Sequence, residues 1–449
     1  MAPPAPPLVA SPSYGRPRAK RGYAMSALLS GALPRSAPGS GAAFPDSGLD
    51  AATASELIRA RLRGDCEPVR NLATFLTTSI EPEARRLFDD YANCNLVDRE
   101  QYPAVDELVR DCVRMIGALW HGDESRVVGC ATTGSSEAAL LAGAALLRRW
   151  QARGGTGGLR PNLVMGAGAH ACWQKFCRHW GVEARIAPAA ANRLGLDGAS
   201  AAGLCDESTI GVIAVLGTTV DGRYEPVAEI TAALDALAQR SGVDVPVHVD
   251  AASGGFIAPF LDRELRWDFQ LPRVVSINAS GHKSGLVLPG LGWLLWRDTS
   301  WRRPELGQRI NYLGGDETHY ELSFSRPAAP VVLQYYNFVR FGFAGFRAVH
   351  ERCRSLATQL AARLRGTGRF RLLSDGSELP VITLTAGSEL KLEQLAMHLA
   401  DRGWAVPVYA LPGELIDVEV MRIVVRSDLG AAEVDRFCAA VEEFTAAVN

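Results

Sequence analysis

No apolar run in this 449-residue chain reaches the roughly 18 residues that a membrane-spanning helix requires, so no membrane partner is expected. Cysteine is present but not organised. The nine cysteines are scattered from Cys66 to Cys438, their number is odd and no CxxC occurs. That argues against a disulfide framework or a zinc site, and for a reduced, cytoplasmic protein. There is no long Lys/Arg run outside the N-terminal leader and the net charge is −2, so nucleic acid is not an expected partner either. No internal repeat is visible. What remains, 47% hydrophobic and 21% charged residues, is the composition of a soluble globular protein large enough for two or three domains.

Residues 1 to about 45 are rich in Pro, Ala, Ser and Gly and carry neither helical nor strand period, so they are expected to be a disordered leader. Arg16, Arg18, Lys20 and Arg21 precede a short apolar stretch, Ala24 to Leu33, which is interrupted by serines and a glycine and stops at Pro34. It is too weak for a signal peptide, and Met25 offers an alternative start. A helical segment is expected within 46–68, where Leu57, Ile58 and Leu62 share a face.

From 69 to 353 helical patterns alternate with short apolar runs: Asn162 to Gly168, Thr209 to Gly217, Val245 to Ala251, Val274 to Ser280 and Gly290 to Trp296. Near-continuous apolar strands between helices imply an α/β domain with a mainly parallel sheet covered on both faces. A long helix at roughly Ala344 to Leu364 leads into a smaller α+β region, 354–449. There Leu379 to Ala386 and Val420 to Arg426 read as strands, and Lys391 to Trp404 and Ala431 to Val448 as amphipathic helices.

Ligands of parallel sheets sit beyond the carboxyl ends of the strands, and the chemistry-bearing residues fall there. HVDAASGGF (His248 to Phe256) and NASGHKSG (Asn278 to Gly285) place Asp250 and Lys283 at the ends of two buried strands. A lysine amine can form a Schiff base with an aldehyde cofactor, and an aspartate can keep that cofactor's pyridine nitrogen protonated; these are the minimum needs of pyridoxal 5'-phosphate. In TTGSSEA, Gly134, Ser135 and Ser136 stand before a helix, which suits a phosphate ester. His170 lies at a strand-to-helix turn, where a flat imidazole could stack on a pyridine ring. Each has an ordinary alternative: a serine N-cap, a turn-capping aspartate, a solvent-facing lysine. Their arrival in order at successive strand ends favours the cofactor. Trp173, Phe176, Cys177 and Trp180, at helical spacing, read as core, and Cys172, Cys177 and His179 are not expected to bind metal.

HVDAASGGF, SINASGHKSG and GLGWLLWRD together resemble the group II pyridoxal-phosphate-dependent decarboxylases, specifically the bacterial and plant glutamate decarboxylases. NLATF, NLVDREQYP, LWHG, GSSEA, NYLGG, SFSRPA and VMRIVVR extend the match over about residues 65 to 440. The resemblance implies the PLP-dependent transferase fold type I, with a mainly parallel seven-stranded sheet in the large domain and a small C-terminal domain. Pyridoxal 5'-phosphate is the implied cofactor, with Lys283 as its Schiff-base lysine and Asp250 on the pyridine nitrogen. Ser135, Ser136, Ser280 and His282 then contact the phosphate, Thr219 lies near the ring, and Ser325 reaches a neighbouring subunit's phosphate. Thr74 and Asp98 match positions that hold the distal carboxylate of glutamate, Asp98 from the partner chain. Arg422 orients the substrate, and Tyr312 or His282 protonates Cα. At least a homodimer is implied, with a hexamer also open.

The implied reaction is decarboxylation of L-glutamate to 4-aminobutyrate and CO2. An aspartate facing a substrate carboxylate forces one of the two to remain protonated, so an acidic optimum is expected. The pattern departs from these enzymes at His170, where glutamine is usual, and at Ser284, where a bulkier residue is usual. Another amino-acid substrate, such as aspartate or cysteine sulfinate, therefore stays open. A lyase or transaminase on the same fold and a non-catalytic binding protein are the remaining alternatives; the intact Lys283 argues against the last.

Overall fold

A computed structural model describes residues 44–45, 47–154, 160–190, 194–311 and 317–447. Tyr312 lies outside the described residues. The chain divides into two compact units, Met1–Cys66 and Glu67–Asn449. In the first, helix α1 (Ala51–Leu62) is capped by Asp50, whose carboxylate accepts from the amides of Ala52 and Thr53. None of the helix's residues is buried, and Ile58 and Leu62 are exposed.

The second unit is built around a seven-stranded sheet: β1 (Val128–Thr132), β2 (Asn162–Gly166), β3 (Glu183–Ala187), β4 (Thr209–Val215), β5 (Val247–Asp250), β6 (Val274–Ala279) and β7 (Gly292–Trp296). Their spatial order is β1-β7-β6-β5-β4-β2-β3, and β7 runs antiparallel to both its neighbours while the other pairs are parallel. Every residue of β2, β4, β5, β6 and β7 is buried, as expected for strands with helices on both faces. The sequence pattern did not reveal β1 and β3. VGCAT is short and poor in β-branched residues, and EARIA is an edge strand whose first four residues are only partly covered or exposed.

Helices α2 (Pro82–Tyr91), α3 (Pro103–Leu119), α4 (Ser135–Ala152), α5 (Ala171–Trp180), α6 (Gly198–Leu204) and α7 (Val227–Ser241) precede or connect the strands. In α5, Trp173, Phe176 and Cys177 are buried as their spacing predicts, but Trp180 is 37% exposed and stacks on Phe176 from outside. A short hairpin, β8 (Gln308–Ile310) with β9 (Glu317–His319), follows the sheet.

Helix α8 (Ala329–Gly366) begins fifteen residues earlier than the expected Ala344. Gly342 breaks its helical geometry with φ 55° and ψ −170°, so the sequence shows only the second segment as a continuous pattern. The first segment is buried from Ala329 to Gln334 and again at Asn337, where Gln334 donates to the carbonyl of Gly285 and Asn337 to that of Leu286. It thereby braces the loop that carries Lys283. The chain ends in an antiparallel sheet of order β10-β11-β13-β12, made by β10 (Phe370–Asp375), β11 (Val381–Ala386), β12 (Val408–Ala410) and β13 (Glu419–Val424), with helices α9 (Leu392–Ala400) and α10 (Ala431–Ala447).

On α8, His350 is buried beside Phe260 and Phe346, and its Nε2 has no hydrogen-bond partner among the described residues. Burial pushes the imidazole from 6.5 down to about 3. The neutral ring's contribution to stability is therefore complete above pH 6.5 and is lost as pH falls towards 3. This group should cost about 2 kcal/mol between pH 6.5 and 5. We expect His350→Phe to show a smaller fall in Tm between pH 7 and pH 5 than the unmodified protein, measured by thermal denaturation. Equal falls would show that His350 does not titrate on unfolding.

Candidate active site

β1, β2, β4, β5 and β6 all point their carboxyl ends to one edge of the sheet. The loops leaving that edge enclose a cavity of about 300 Å³. It is lined by eight of the residues singled out above: Ser135, Ser136, His170, Thr219, Asp250, Ser280, His282 and Lys283. Segments up to 150 residues apart thus meet because parallel strands deliver their ends to a common crevice.

Lys283 is half-buried, and its amine donates to the Ser253 hydroxyl at 3.2 Å and lies 5.2 Å from the Phe75 ring centroid. Burial holds the amine below its ordinary value, opposed by the charge of Asp250. A larger share of neutral, nucleophilic amine is the consequence. The lysine's backbone is pinned by Thr77, whose hydroxyl donates to the carbonyl of Lys283 and whose amide donates to that of His282. Gly281 and Gly285 allow the loop to fold tightly. A Cβ on Gly285 would stand 2.6 Å from the carbonyl oxygen of Gly281.

Asp250, at the end of β5, accepts three N–H bonds: from Trp173 Nε1 (2.8 Å), Asn278 Nδ2 (3.1 Å) and the amide of Ala252 (3.1 Å). No Lys or Arg among the described residues forms an ion pair with it. A buried carboxylate lining a cavity without a cationic partner fits a protonated pyridine nitrogen.

At the other end of the cavity, the Ser135 and Ser280 hydroxyls are 2.7 Å apart at the start of α4. First-turn amides have no intrahelical acceptor, so this end attracts an anion. His282 accepts from the amides of Gly290 and Leu291 through Nδ1, at 3.2 Å each, leaving Nε2 to carry the proton. Burial, aided by Lys283, pushes its imidazole down to about 4. Its Cε1 would lie 2.9 Å from a Cβ on Gly134, where φ is +156°, so only glycine fits there. His170 caps α5 through Nδ1, and burial lowers its basicity. These groups fit pyridoxal 5'-phosphate: a lysine amine, an unpaired carboxylate, and hydroxyls with a helix start for the phosphate.

Among the described residues, the predicted Arg422, Thr74, Asp98 and Ser325 do not line this cavity. Arg422, on β13, donates to the carbonyls of Thr219 (2.6 Å) and Ala73 (2.7 Å) and stands 4.9 Å from the Phe75 ring centroid. Phe75 therefore lies against both Lys283 and Arg422. Thr74 adjoins Phe75, and its hydroxyl accepts from the amide of Leu76. Asp98 accepts from the side chain of Asn95 at 3.2 Å, and Ser325 is exposed.

Three residues escaped sequence reading. The spacing of Trp173 announces burial but not the indole N–H bond to Asp250. Asn278, two residues before Ser280, carries the carboxylate's second side-chain donor. Glu137 clasps two loops: it accepts from Thr133, through amide and hydroxyl, and from the amides of Leu322 and Ser323. It thus ties the serine loop to the segment bearing Ser325.

The pyridoxal-dependent decarboxylase conserved domain matches residues 50–385. The chain belongs to the pyridoxal-dependent decarboxylase family. Among this family's members it is 41% identical to a glutamate decarboxylase of Aliivibrio fischeri over 401 residues, 87% of this chain and 86% of that one. It is 40% identical to glutamate decarboxylase 5 of Arabidopsis thaliana, covering 88% of this chain and 81% of the relative. The solved glutamate decarboxylase of Lactobacillus brevis superposes with a TM-score of 0.86 at 39% identity, over 89% of this chain and 93% of that one. The decarboxylase family and its seven-stranded α/β architecture thus agree with the sequence reading.

Proposed function

We propose that the chain is a pyridoxal 5'-phosphate-dependent carboxy-lyase that converts L-glutamate to 4-aminobutyrate and CO2. The observation that carries the reading is the Lys283 amine in one cavity with Asp250 and the Ser135–Ser280 anion site. Its relatives' names supply the substrate. When bound, the cofactor's protonated ring accepts the electrons left on Cα as CO2 departs.

The chain's own residues do the rest. Lys283 would hold the cofactor's aldehyde through its amine, and Asp250, oriented by Trp173, Asn278 and Ala252, would hold the ring nitrogen's proton. Ser135, Ser136, Ser280 and His282 would hold the phosphate, with His170 and Thr219 on the walls of the same cavity to receive the ring. Arg422 orients the substrate. Its guanidinium meets neutral carbonyls and no carboxylate among the described residues, so its charge is available to an anion. Phe75 keeps water from the space between Arg422 and Lys283. Thr74 and, from a second copy of the chain, Asp98 take the distal carboxylate. Tyr312 or His282 delivers the proton to Cα. Ser325, exposed in the single chain, reaches a neighbour's phosphate site in at least a homodimer. A cytoplasmic location fits the thiol-bearing chain, whose described residues include no helix long and apolar enough to cross a membrane.

The test is product analysis with pyridoxal phosphate supplied, using L-glutamate and L-aspartate side by side. We expect 4-aminobutyrate from the first and no β-alanine from the second. Faster turnover of aspartate would overturn the substrate while keeping the family.

A further inference from the structure

Adjacent strands β5 and β6 place four polar side chains on one face of the sheet. Their register pairs His248 with Ser276 and Asp250 with Asn278, and alternate residues of a strand share a face. All four are buried, and the Trp173 indole lies against them, its ring centroid 5.0 Å from that of His248. His248 and Ser276 do not line the cavity that holds Lys283, and nothing in the reaction described above uses them.

The hydrogen bonds along this ladder have one consistent assignment. Asn278 must turn its NH2 towards the Asp250 carboxylate (3.1 Å), because the reversed amide would set oxygen against oxygen. Its carbonyl oxygen then faces His248 Nε2 at 2.7 Å, so Nε2 carries the hydrogen. Nδ1 is left to accept from the Ser276 hydroxyl, also at 2.7 Å. Burial pushes this imidazole down to about 4, which keeps it neutral.

We propose that His248 is a positioning residue for the cofactor: by donating from Nε2 it locks the Asn278 amide in the orientation that aims Asp250 at the ring nitrogen. Ser276 fixes the tautomer, Asn278 transmits it, and Asp250 delivers it. The inference rests on the reading of Asp250 as the partner of that nitrogen.

The experiment measures equilibrium binding of two probes to the full chain: pyridoxal 5'-phosphate and its 1-deaza analogue, whose ring nitrogen is replaced by C–H. The variants are His248→Phe, which removes the donor, and His248→Gln, whose amide can donate to Asn278 and accept from Ser276. We expect His248→Phe to weaken pyridoxal phosphate roughly tenfold, about one oriented hydrogen bond's worth, and to leave the 1-deaza analogue unchanged. His248→Gln should restore most of the loss. Equal weakening of both probes would make His248 merely structural and overturn the proposal, as would unchanged affinity for pyridoxal phosphate. If the unmodified protein binds both probes equally, the Asp250 reading itself fails. A variant that does not fold leaves the unmodified chain labelled with 15N-histidine. Its spectrum must show His248 protonated at Nε2 and bare at Nδ1, and the opposite tautomer would overturn the proposal.

Discussion

Lys283→Ala should lower kcat/KM for L-glutamate by at least roughly a thousandfold, because it removes both the group that holds the aldehyde and the amine that releases product. Lys283→Arg should lose as much. A guanidinium keeps the positive charge but is not deprotonated near neutral pH and cannot act as the nucleophile. Comparing the two separates chemistry from electrostatics, and Tm measurements show whether either disturbs the fold. Among the described residues no other lysine lines the cavity. The chain has four, Lys20, Lys175, Lys283 and Lys391; Lys175 and Lys391 are exposed, and Lys20 lies outside the described residues. Borohydride reduction of the pyridoxal-loaded protein followed by peptide mass spectrometry should accordingly find the pyridoxyl group on Lys283. Label on Lys175 or Lys391 would contradict the assignment.

Asp250→Ala should cost roughly a hundredfold to a thousandfold in kcat, the range seen when one oriented electrostatic group is removed from a catalytic site. It also strands the donors of Trp173 and Asn278 in a dry interior, at about 1–3 kcal/mol for each group left unpaired, so a lower Tm should accompany the lost activity. Asp250→Asn discriminates between these effects. It restores bulk and one acceptor, but it brings an amide NH2 where N–H donors already point, and it offers no charge to the ring nitrogen. We expect Asp250→Asn to recover more of the Tm than of kcat. Recovery of kcat in parallel with Tm would mean that the carboxylate's charge does not matter to the reaction.

The sheet and the strand-end residues were legible because burial on both faces writes nearly unbroken apolar runs, and because a strand's end is where polarity returns. His248 to Phe256 shows that change within three residues, and both Asp250 and Lys283 were found by it. Other features left weaker marks. β3 is an edge strand of mixed composition, so its period carries little signal. The start of α8 was hidden by Gly342, which interrupts the pattern where the backbone bends. Trp173 and Asn278 look like packing and strand residues in one dimension, since a hydrogen bond across the sheet depends on register and not on local periodicity. Arg422 and Phe75 meet through a contact between segments about 350 residues apart, which only the folded chain brings together. The family resemblance, and not spacing, brought Thr74, Asp98, Ser325 and Tyr312 to notice.

The most direct measurement runs L-glutamate with the pyridoxal-loaded protein in D2O and analyses the products by NMR and gas evolution. The account predicts one CO2 for each 4-aminobutyrate, with a single deuterium on the carbon that bears the amine, as proton delivery to Cα after loss of the carboxylate requires. Formation of 2-oxoglutarate, or of 4-aminobutyrate without that deuterium, would contradict it.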